Sequence, residues 1–434
     1  MSQSLPLVRI SPPGPRSRDM AARLASLESP SVDSRRSERE RESGEDQGPI
    51  VYAEGRGSNV LDVDGNLYVD LAAGFGSLLL GHAPSALTAA LDDQRARLWL
   101  ALGDVFGTQA KLALCERLVR LWGQPNARVL LGSTGADAVT AALKTAALAT
   151  GRPGVVAFDG AYHGLSHGPL AACGLRPAFR QPFAEQLNGH VTFAPYPHDA
   201  RTLAPSLDAV ERALGRSDIG AVLVEPILGR GGCIVPPIDF LPALRQLCDR
   251  QGALLVCDEI WTGLGRSGAW LAAGDLADLT CLGKGLGGGI PISACVGRGS
   301  VMAAWAAHGG ATIHTATHAG APLACAAAVA MLDALEAAHL PARAHAVGGA
   351  WIDRIRDQTA GRGVIEVRGR GLMVGIALDG GASRALAVTR RLLRCGWIVL
   401  TGGARGDVLT LTPPLDIEET LLHAFAEVLP TCLT

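Results

Sequence analysis

The sequence lacks any run of about 18 or more uncharged apolar residues, the length that a membrane-crossing helix needs. Residues 1–18 also contain no apolar core of the length found in secretory signal peptides. Neither sign of charge dominates, because the formal net charge is −2, and no basic field for nucleic acid is indicated. These absences predict a protein without membrane or nucleic-acid partners.

The ten cysteines form no C-x-x-C pair and no Cys/His pair at the spacing of a zinc site. We interpret them as small buried apolar residues in a cytoplasmic protein, where a reducing environment disfavours a disulfide framework. His314 and His318 have the i, i+4 spacing of two metal ligands on a helix, but no third ligand is evident near them. The sequence therefore predicts no metal site.

A chain of 434 residues is long enough for two domains, and its 48% hydrophobic and 18% charged residues are typical of an α/β enzyme. Residues 60–69 hold two short, mostly apolar runs around an Asp-Gly-Asn turn, which predicts a β-hairpin. Residues 34–48 carry charges of both signs that nearly cancel, which favours a mobile surface loop over a partner-binding tail. Residues 322–338 are rich in alanine and predict a helix that links the two domains.

The apolar run 253–257 ends abruptly at Asp258, as expected for a strand buried on both faces of a parallel sheet. Open α/β sheets bind ligands at the carboxyl ends of their strands. Lys284 follows in the stretch LGKGLGGGIP, whose glycines let the backbone bend closely around a ligand. This pair suits pyridoxal phosphate, since the carboxylate keeps the pyridine nitrogen protonated and the amine forms a Schiff base. A helix-capping aspartate and a solvated lysine remain alternatives.

The segments DEIWTGLGRSG (258–268) and LGKGLGGGIP (282–291) together resemble the signature of the class III pyridoxal-phosphate-dependent aminotransferases, of fold type I. The resemblance covers roughly residues 50–430. It implies an α/β fold with a large domain, built on a mostly parallel sheet, and a smaller α/β domain formed by both chain ends. We place an N-terminal part of the small domain at 1–84, the large cofactor-binding domain at 85–318 and the rest of the small domain at 319–434. The family also implies a homodimer with shared active sites.

By the same resemblance, Lys284 and Asp258 are the catalytic residues. Lys284 would hold the cofactor as a Schiff base and move a proton between the substrate carbon and the cofactor, while Asp258 keeps the ring nitrogen protonated. The implied reaction moves an amino group from an amine or amino acid to an oxo-acid acceptor. A racemase or epimerase that uses the same lysine remains an alternative, and a binding-only homologue is a third.

The small-residue turn at 132–135 precedes an alanine-rich helix, and such a helix N-terminus exposes N–H groups that suit a phosphate. The resemblance places a phosphate cup there and an aromatic side chain on the cofactor ring, with His163 beside that aromatic in a supporting role. A threonine of segment 301–318 is implied to reach the neighbouring subunit's cofactor. The cofactor-binding residues so implied are Thr134, Gly135, Ala136, Tyr162, Glu225, Asp258, Ile260, Trp261, Lys284 and Thr317.

The substrate-binding residues are less determined. Phe75 lies in a segment that resembles the family's N-terminal lining of the active site, although an ordinary core role remains open. Thr410 stands where the family commonly has an arginine that grips a substrate carboxylate. Either Arg405, in the preceding loop, replaces that arginine, or the preferred amine lacks an α-carboxylate. Trp261 stands where the family often has glutamine, and its indole ring is expected to narrow the pocket.

Overall fold

The computed structural model describes residues 3–308 and 310–433. These residues form fifteen strands, which in chain order are β1 (Tyr52–Arg56), β2 (Asn59–Asp62), β3 (Leu67–Asp70), β4 (Arg128–Gly132), β5 (Gly154–Phe158), β6 (Val191–Ala194), β7 (Ile219–Val224), β8 (Leu254–Asp258), β9 (Leu279–Leu282), β10 (Ser293–Gly297), β11 (Val364–Arg370), β12 (Met373–Leu378), β13 (Trp397–Ile398), β14 (Leu400–Gly402) and β15 (Val408–Leu411).

The helices of the described residues are, in chain order, α1 (Pro15–Ala25), α2 (Pro30–Ser43), α3 (Ala73–Gly76), α4 (Ser85–Arg97), α5 (Gln109–Trp122), α6 (Gly135–Thr150), α7 (His167–Ala171), α8 (Pro177–Arg180), α9 (Ala200–Leu214), α10 (Phe240–Gln251), α11 (Gly299–Met302), α12 (Pro322–Ala337), α13 (Leu340–Thr359), α14 (Gly381–Arg394) and α15 (Glu419–Cys432). Three short 3-10 helices span Gln181–Gln186, Lys284–Gly287 and Ala303–His308.

The central sheet has seven strands in the order β4-β10-β9-β8-β7-β5-β6. Strands β9, β8, β7, β5 and β6 run parallel, and β10 runs antiparallel to both β9 and β4. The expected α/β fold with a mostly parallel sheet is therefore confirmed. Parallel neighbours place their carboxyl ends at one edge of the sheet, so the loops after β5, β7, β8 and β9 meet there.

Both faces of this sheet are covered by helices. In β7, Val222 and Val224 pack into the core cluster on one face, whereas Ala221 and Leu223 pack into the cluster on the other face, beside α6. Successive residues of a strand point to opposite faces, so a strand that is buried on both sides must be apolar throughout. This arrangement explains the uninterrupted apolar runs that mark β7 and β8 in the sequence.

Two four-stranded sheets accompany the central sheet. In the order β1-β2-β3-β13, strand β13 from the C-terminal part of the chain pairs in parallel with β3 from the N-terminal part. The second is antiparallel, in the order β11-β12-β15-β14. The predicted hairpin is confirmed by the antiparallel pairing of β2 and β3. The domain boundaries after residues 84 and 318 stay predictions, and residues 1, 2 and 434 of the outer segments lie outside the described residues.

The charged segment 34–48 is not a loop over most of its length, so that prediction was wrong. Residues Pro30–Ser43 form α2, with proline in the first turn and Gly44 in the left-handed conformation that ends the helix. Arg36 pairs with Asp33 one turn earlier, and Arg394 of α14 pairs with Glu45 at 2.6 Å. Ion pairs and caps, rather than an apolar face, therefore hold this helix, and a pattern search for apolar periodicity misses it.

The predicted alanine-rich helix is confirmed as α12, which begins at Pro322 and ends at Ala337. Among residues 3–308 and 310–433, no single helix is long and apolar enough to cross a membrane. Helices α12 and α13 pass a test of length and composition only as a pair, and they bend by 62° where they meet.

Candidate active site

Asp258 is the last residue of β8, and its carboxylate is almost fully buried. Oδ2 lies 2.7 Å from Nδ1 of His163, and Oδ1 accepts a hydrogen bond of 3.1 Å from the backbone N–H of Ile260. Hydrogen bonds to both oxygens hold the carboxylate in one orientation. Asp258 therefore presents an oriented carboxylate at the carboxyl edge of the sheet.

Lys284 opens the short 3-10 helix that follows β9, with a positive φ of 34°. Strands β8 and β9 are neighbours, and Asp258 pairs in register with Cys281, so the loop brings Lys284 to the same edge. The ammonium group is surrounded by protein, and this desolvation lowers the pKa of Lys284 to about 8. The charges of Asp258 and Glu225 act in the opposite direction, whereas Arg230 lowers the pKa further.

Only three lysines occur in the whole chain. Lys111 donates to the carbonyl of Gly103, and Lys144 donates to the carbonyl of Ile313 at 2.8 Å. Lys284 instead places Nζ 4.5 Å from the centre of the Trp261 ring, on the wall of the cavity. It is thus the lysine that the fold presents to a ligand in that cavity.

Glu225 follows β7 directly and is buried. Its Oε1 accepts the backbone N–H of Tyr162 at 2.7 Å, and its Oε2 accepts the N–H of Gly229 at 3.0 Å. Burial raises the pKa of Glu225 to about 7, while the charge of His163 opposes this shift and that of Asp258 adds to it. The carboxylate therefore ties the loop after β5 to the loop after β7.

The N-terminus of α6 forms another wall. Thr134 caps the helix in a reciprocal capping box with Asp137, whose Oδ2 also accepts the N–H groups of Ser133 and Thr134 at 3.0 and 2.9 Å. Within the described residues, the N–H groups of Gly135 and Ala136 have no acceptor and lie on the cavity wall. These donors and the positive end of the helix dipole suit an anion such as a phosphate.

Close contacts explain the small residues in these walls. A Cβ at Gly135 would lie 2.9 Å from Cδ1 of Ile260, so only glycine lets α6 approach the loop after β8. A Cβ at Gly76 or at Gly229 would collide with the indole of Trp261, which is buried between these two glycines. Trp261 Nε1 has no hydrogen-bond partner among the described residues.

These walls enclose one cavity of about 520 Å³, within the size range of small-molecule sites. The predicted residues that line it together are Thr134, Gly135, Ala136, Tyr162, Glu225, Asp258, Ile260, Trp261 and Lys284. Pyridoxal phosphate fits this donor set: an anion cradle at α6, a buried carboxylate for the ring nitrogen, and one lysine amine for the aldehyde. In residues 3–308 and 310–433 no group of three or more His, Cys, Asp or Glu side chains suits a metal ion.

Three predicted residues lie away from the cavity wall. Phe75 is 63% exposed with a positive φ of 59°, and Thr317 lies exposed in the segment before α12. Arg405 points to solvent and pairs with Asp407 at 2.7 Å. Phe75 and Thr317 were predicted near a subunit interface, which a single chain does not test. The roles of all three stay predictions.

Two cavity residues received no role or only a supporting one from the sequence. His163 follows Tyr162 directly and proves to hold the Asp258 carboxylate. Arg230 comes from the loop after β7, with its guanidinium carbon 4.4 Å from the centre of the Tyr162 ring. The sequence could have indicated a role for the histidine, because it follows the predicted cofactor-stacking tyrosine directly. Nothing in the sequence marked Arg230, because its partner lies 68 positions earlier in the chain.

Comparison with known proteins shows which family this chain resembles. The family model described as aminotransferase class-III matches residues 41–433. Acetylornithine aminotransferase of Mycobacterium tuberculosis is 40% identical over 390 residues, which cover 89% of this chain and 92% of the relative. The 5-aminovalerate aminotransferase of Pseudomonas aeruginosa is 34% identical over 401 residues, which cover 88% of this chain and 93% of that protein.

Solved structures agree with these relatives. The ornithine aminotransferase of Toxoplasma gondii superposes with a TM-score of 0.81 at 32% identity, covering 89% of this chain and 90% of that one. An amine transaminase from an uncultivated Pseudomonas species, in its PLP-bound form, also gives a TM-score of 0.81, at 31% identity and with 89% and 94% of the two chains covered.

Proposed function

This chain belongs to the class-III aminotransferase family, and from that premise we propose that Lys284 and Asp258 carry its chemistry. The protein is a pyridoxal-phosphate-dependent aminotransferase, which moves an amino group from an amine or amino acid to an oxo acid. The observation that carries the assignment of residues is one cavity lined by both Lys284 and the hydrogen-bonded Asp258. The racemase alternative is not favoured, since the relatives described above are aminotransferases.

When bound, pyridoxal phosphate supplies an aldehyde that condenses with amines and a pyridinium ring that accepts electrons. We assign its phosphate to the N-terminus of α6, where Thr134, Gly135 and Ala136 line the cavity. We assign its ring to the space beside Tyr162, where a flat aromatic side chain offers a stacking surface. Asp258 would hold the ring nitrogen protonated, with His163 fixing the carboxylate.

Ile260 and Trp261 complete this site from the loop after β8, directly beyond Asp258. Ile260 contacts Gly135 and thereby fixes the distance between that loop and the phosphate cup. Glu225 acts on the site indirectly. Both of its oxygens accept backbone N–H groups of the loops that carry Tyr162 and Arg230. We therefore propose that Glu225 positions these loops.

Lys284 has the properties of both a nucleophile and a proton carrier. A pKa of about 8 leaves a useful fraction of the amine neutral near neutral pH, and the remaining fraction can donate a proton. The cavity walls exclude most water from Nζ, which keeps the proton between the lysine and the reacting carbon of the substrate. The amine would thus take the proton from that carbon and deliver it to the cofactor carbon on the other side of the shared nitrogen.

The functional unit that we propose is a homodimer in the cytoplasm. A large exposed apolar surface supports the second subunit: Trp99, Val105 and Phe106 are each more than 60% exposed between α4 and α5. Phe75 and Thr317, both exposed here, are proposed to meet the partner's active site. The ten cysteines are all free thiols, which fits a reducing compartment.

The absorbance spectrum of the purified protein with added pyridoxal phosphate tests this proposal. We expect a cofactor band that changes when an amine donor is added and returns when an oxo acid is added. Inversion of a chiral amine without any oxo acid would instead identify an isomerase. Failure of any cofactor band to form would contradict the assignment of Lys284.

A further inference from the structure

Arg230 is an unneutralised cation on the wall of the active-site cavity. It lies in the loop after β7, is exposed to the cavity, and shares that wall with Lys284. Among residues 3–308 and 310–433, no carboxylate lies within 4.0 Å of its guanidinium nitrogens. Its guanidinium stacks on Tyr162, and this stacking fixes the plane of the group while leaving its N–H edges free to donate.

The two nearest acidic residues on this wall are already engaged. Both oxygens of Glu225 accept backbone N–H groups, and both oxygens of Asp258 are hydrogen-bonded as well. Both carboxylates are therefore already hydrogen-bonded to groups other than Arg230. The positive charge of Arg230 is therefore available to an anion that enters the cavity.

The backbone of Arg230 lies against β14, the strand that pairs with Thr410 in β15. Thr410 is buried in β15, and its hydroxyl has no partner among the described residues. The N–H of Gly403 donates to the carbonyl of Arg230 at 2.8 Å. A Cβ at Gly402 would collide with Oγ1 of Thr410 and lie 3.6 Å from the carbonyl oxygen of Arg230. The loop that carries Arg230 therefore packs beside the strands of Gly402 and Thr410, and Thr410 itself brings no charge to this region.

We propose that Arg230 is the specificity-determining residue that binds the substrate carboxylate. The favoured substrates are then amino donors that carry a carboxylate apart from the reacting amine. Planar guanidinium and carboxylate groups form two parallel hydrogen bonds, which fix the orientation of the donor as well as its affinity. This inference rests on the proposed aminotransferase site, because it needs the amine of the same molecule to reach Lys284.

The test compares matched donors in the amine half-reaction, with no oxo acid present. One pair is 5-aminovalerate and pentylamine, and a second is acetylornithine and N-acetylputrescine; the members of each pair differ only in the carboxylate. We expect Arg230→Gln to lower kcat/KM for both carboxylated donors by about 10- to 100-fold, the usual effect of losing charge-assisted hydrogen bonds. The two uncharged-tail amines should change less than about twofold, since they never meet the guanidinium. Arg230→Lys should give kcat/KM values for the carboxylated donors between those of the wild type and Arg230→Gln.

Binding of glutarate, a dicarboxylate without an amine, gives a readout apart from turnover. Calorimetry should show weaker glutarate binding by about tenfold in Arg230→Gln. Arg201→Gln is the control, because Arg201 is 89% exposed on α9, where it pairs with Asp199 away from the cavity. It should leave both readouts unchanged.

Several results would overturn the inference. An Arg230→Gln enzyme that keeps the wild-type preference for carboxylated donors would do so, as would a wild-type enzyme that prefers the amines without a carboxylate. Loss of that preference in Arg405→Gln instead would assign the role to Arg405. Weaker pyridoxal phosphate binding in Arg230→Gln, with donor preference unchanged, would assign Arg230 to the cofactor. If wild-type enzyme converts no donor at all, the proposed function fails first.

Discussion

The cavity has two walls that differ in how their charged side chains are paired. On the first, which we call the cofactor wall, the carboxylates of Asp258 and Glu225 have all four oxygens hydrogen-bonded. On the second, the substrate wall, Trp261 Nε1 has no partner within the described residues, and Arg230 has no acid. The two carboxylates of the cofactor wall are thus oriented in advance, and its open N–H groups at Gly135 and Ala136 are left for an anion. The charge of the substrate wall has no carboxylate partner among the described residues.

This difference separates the residues proposed for the reaction from the residues proposed to select the substrate. A buried carboxylate costs free energy unless hydrogen bonds compensate it, so the cofactor wall admits few substitutions. The substrate wall carries its charge on one exposed arginine and its shape on one tryptophan, and either can change without exposing a buried charge. Variants on the two walls should therefore fail in different ways.

The largest effect is expected on the cofactor wall. Lys284→Ala should lower turnover by at least about 10³-fold, because it removes both the nucleophile and the proton carrier. Circular dichroism should show an intact fold, and Lys111→Ala should retain activity. Borohydride treatment of the cofactor-loaded wild type, followed by peptide mapping, should place the added mass on Lys284. Full activity in Lys284→Ala would contradict the assignment.

Asp258→Asn should come next, with a loss of about 10²-fold in kcat. A neighbouring opposite charge shifts a pKa by about one to three units, and the amide cannot hold the ring nitrogen protonated. Asp258→Glu keeps the charge and should recover part of the rate. A merely structural role would instead lower thermal stability in both variants equally, and differential scanning calorimetry distinguishes the two cases.

The third expectation concerns pH. Burial lowers the pKa of Lys284 to about 8, so the neutral amine increases as pH rises through that value. The rate at which apoenzyme acquires the cofactor band should therefore rise about tenfold per unit below pH 8 and level off above it. Free acetyl-lysine has an amine with an ordinary pKa near 10.4, so the rate at which it reacts with the cofactor should keep rising beyond pH 9. If the rate at which apoenzyme acquires the cofactor band does not change between about pH 7 and 9, desolvation does not activate this lysine.

The smallest catalytic effect should come from the substrate wall. Trp261→Gln should lower the free energy of unfolding by about 2 to 4 kcal/mol, since a buried ring is lost, but change kcat for small donors less than about tenfold. Trp261→Phe is the matched variant, because it keeps a ring and removes the unpartnered N–H. It should be nearly as stable as wild type in urea titrations. A loss of cofactor binding in Trp261→Phe would place this residue on the cofactor wall.

The parts of this site that the sequence predicted are those encoded locally. Asp258 ends an apolar run and Lys284 lies among glycines, so each was visible within ten residues of chain. Arg230 and His163 act through partners that are 68 and 95 positions distant, on strands brought together only by the sheet. Local pattern carries no information about such pairs, and the resemblance described a family average that this chain leaves at Thr410.

For helix α2, the sequence-based prediction failed for a different reason. Its capping residues were present in the sequence, but the absence of an apolar face suggested a loop. The helix buries no residue of its own, and an ion pair between Arg394 of α14 and Glu45, just beyond the end of α2, joins the two segments. Charge alone is therefore a poor guide to disorder where a neighbouring helix offers the opposite charge.

The placement of Trp261 between Gly76 and Gly229 has a consequence for how this pocket can be redesigned or can diverge. Neither glycine can accept a side chain while the indole is present, so single changes at these positions are expected to be lost to selection. Replacing Trp261 first would make Gly229 permissive, whereas Gly76 would still favour glycine because its φ is 77°. The order of substitution therefore decides which variants are reachable, and libraries that vary Gly229 and Trp261 together should recover combinations that stepwise mutation from Gly229 cannot reach.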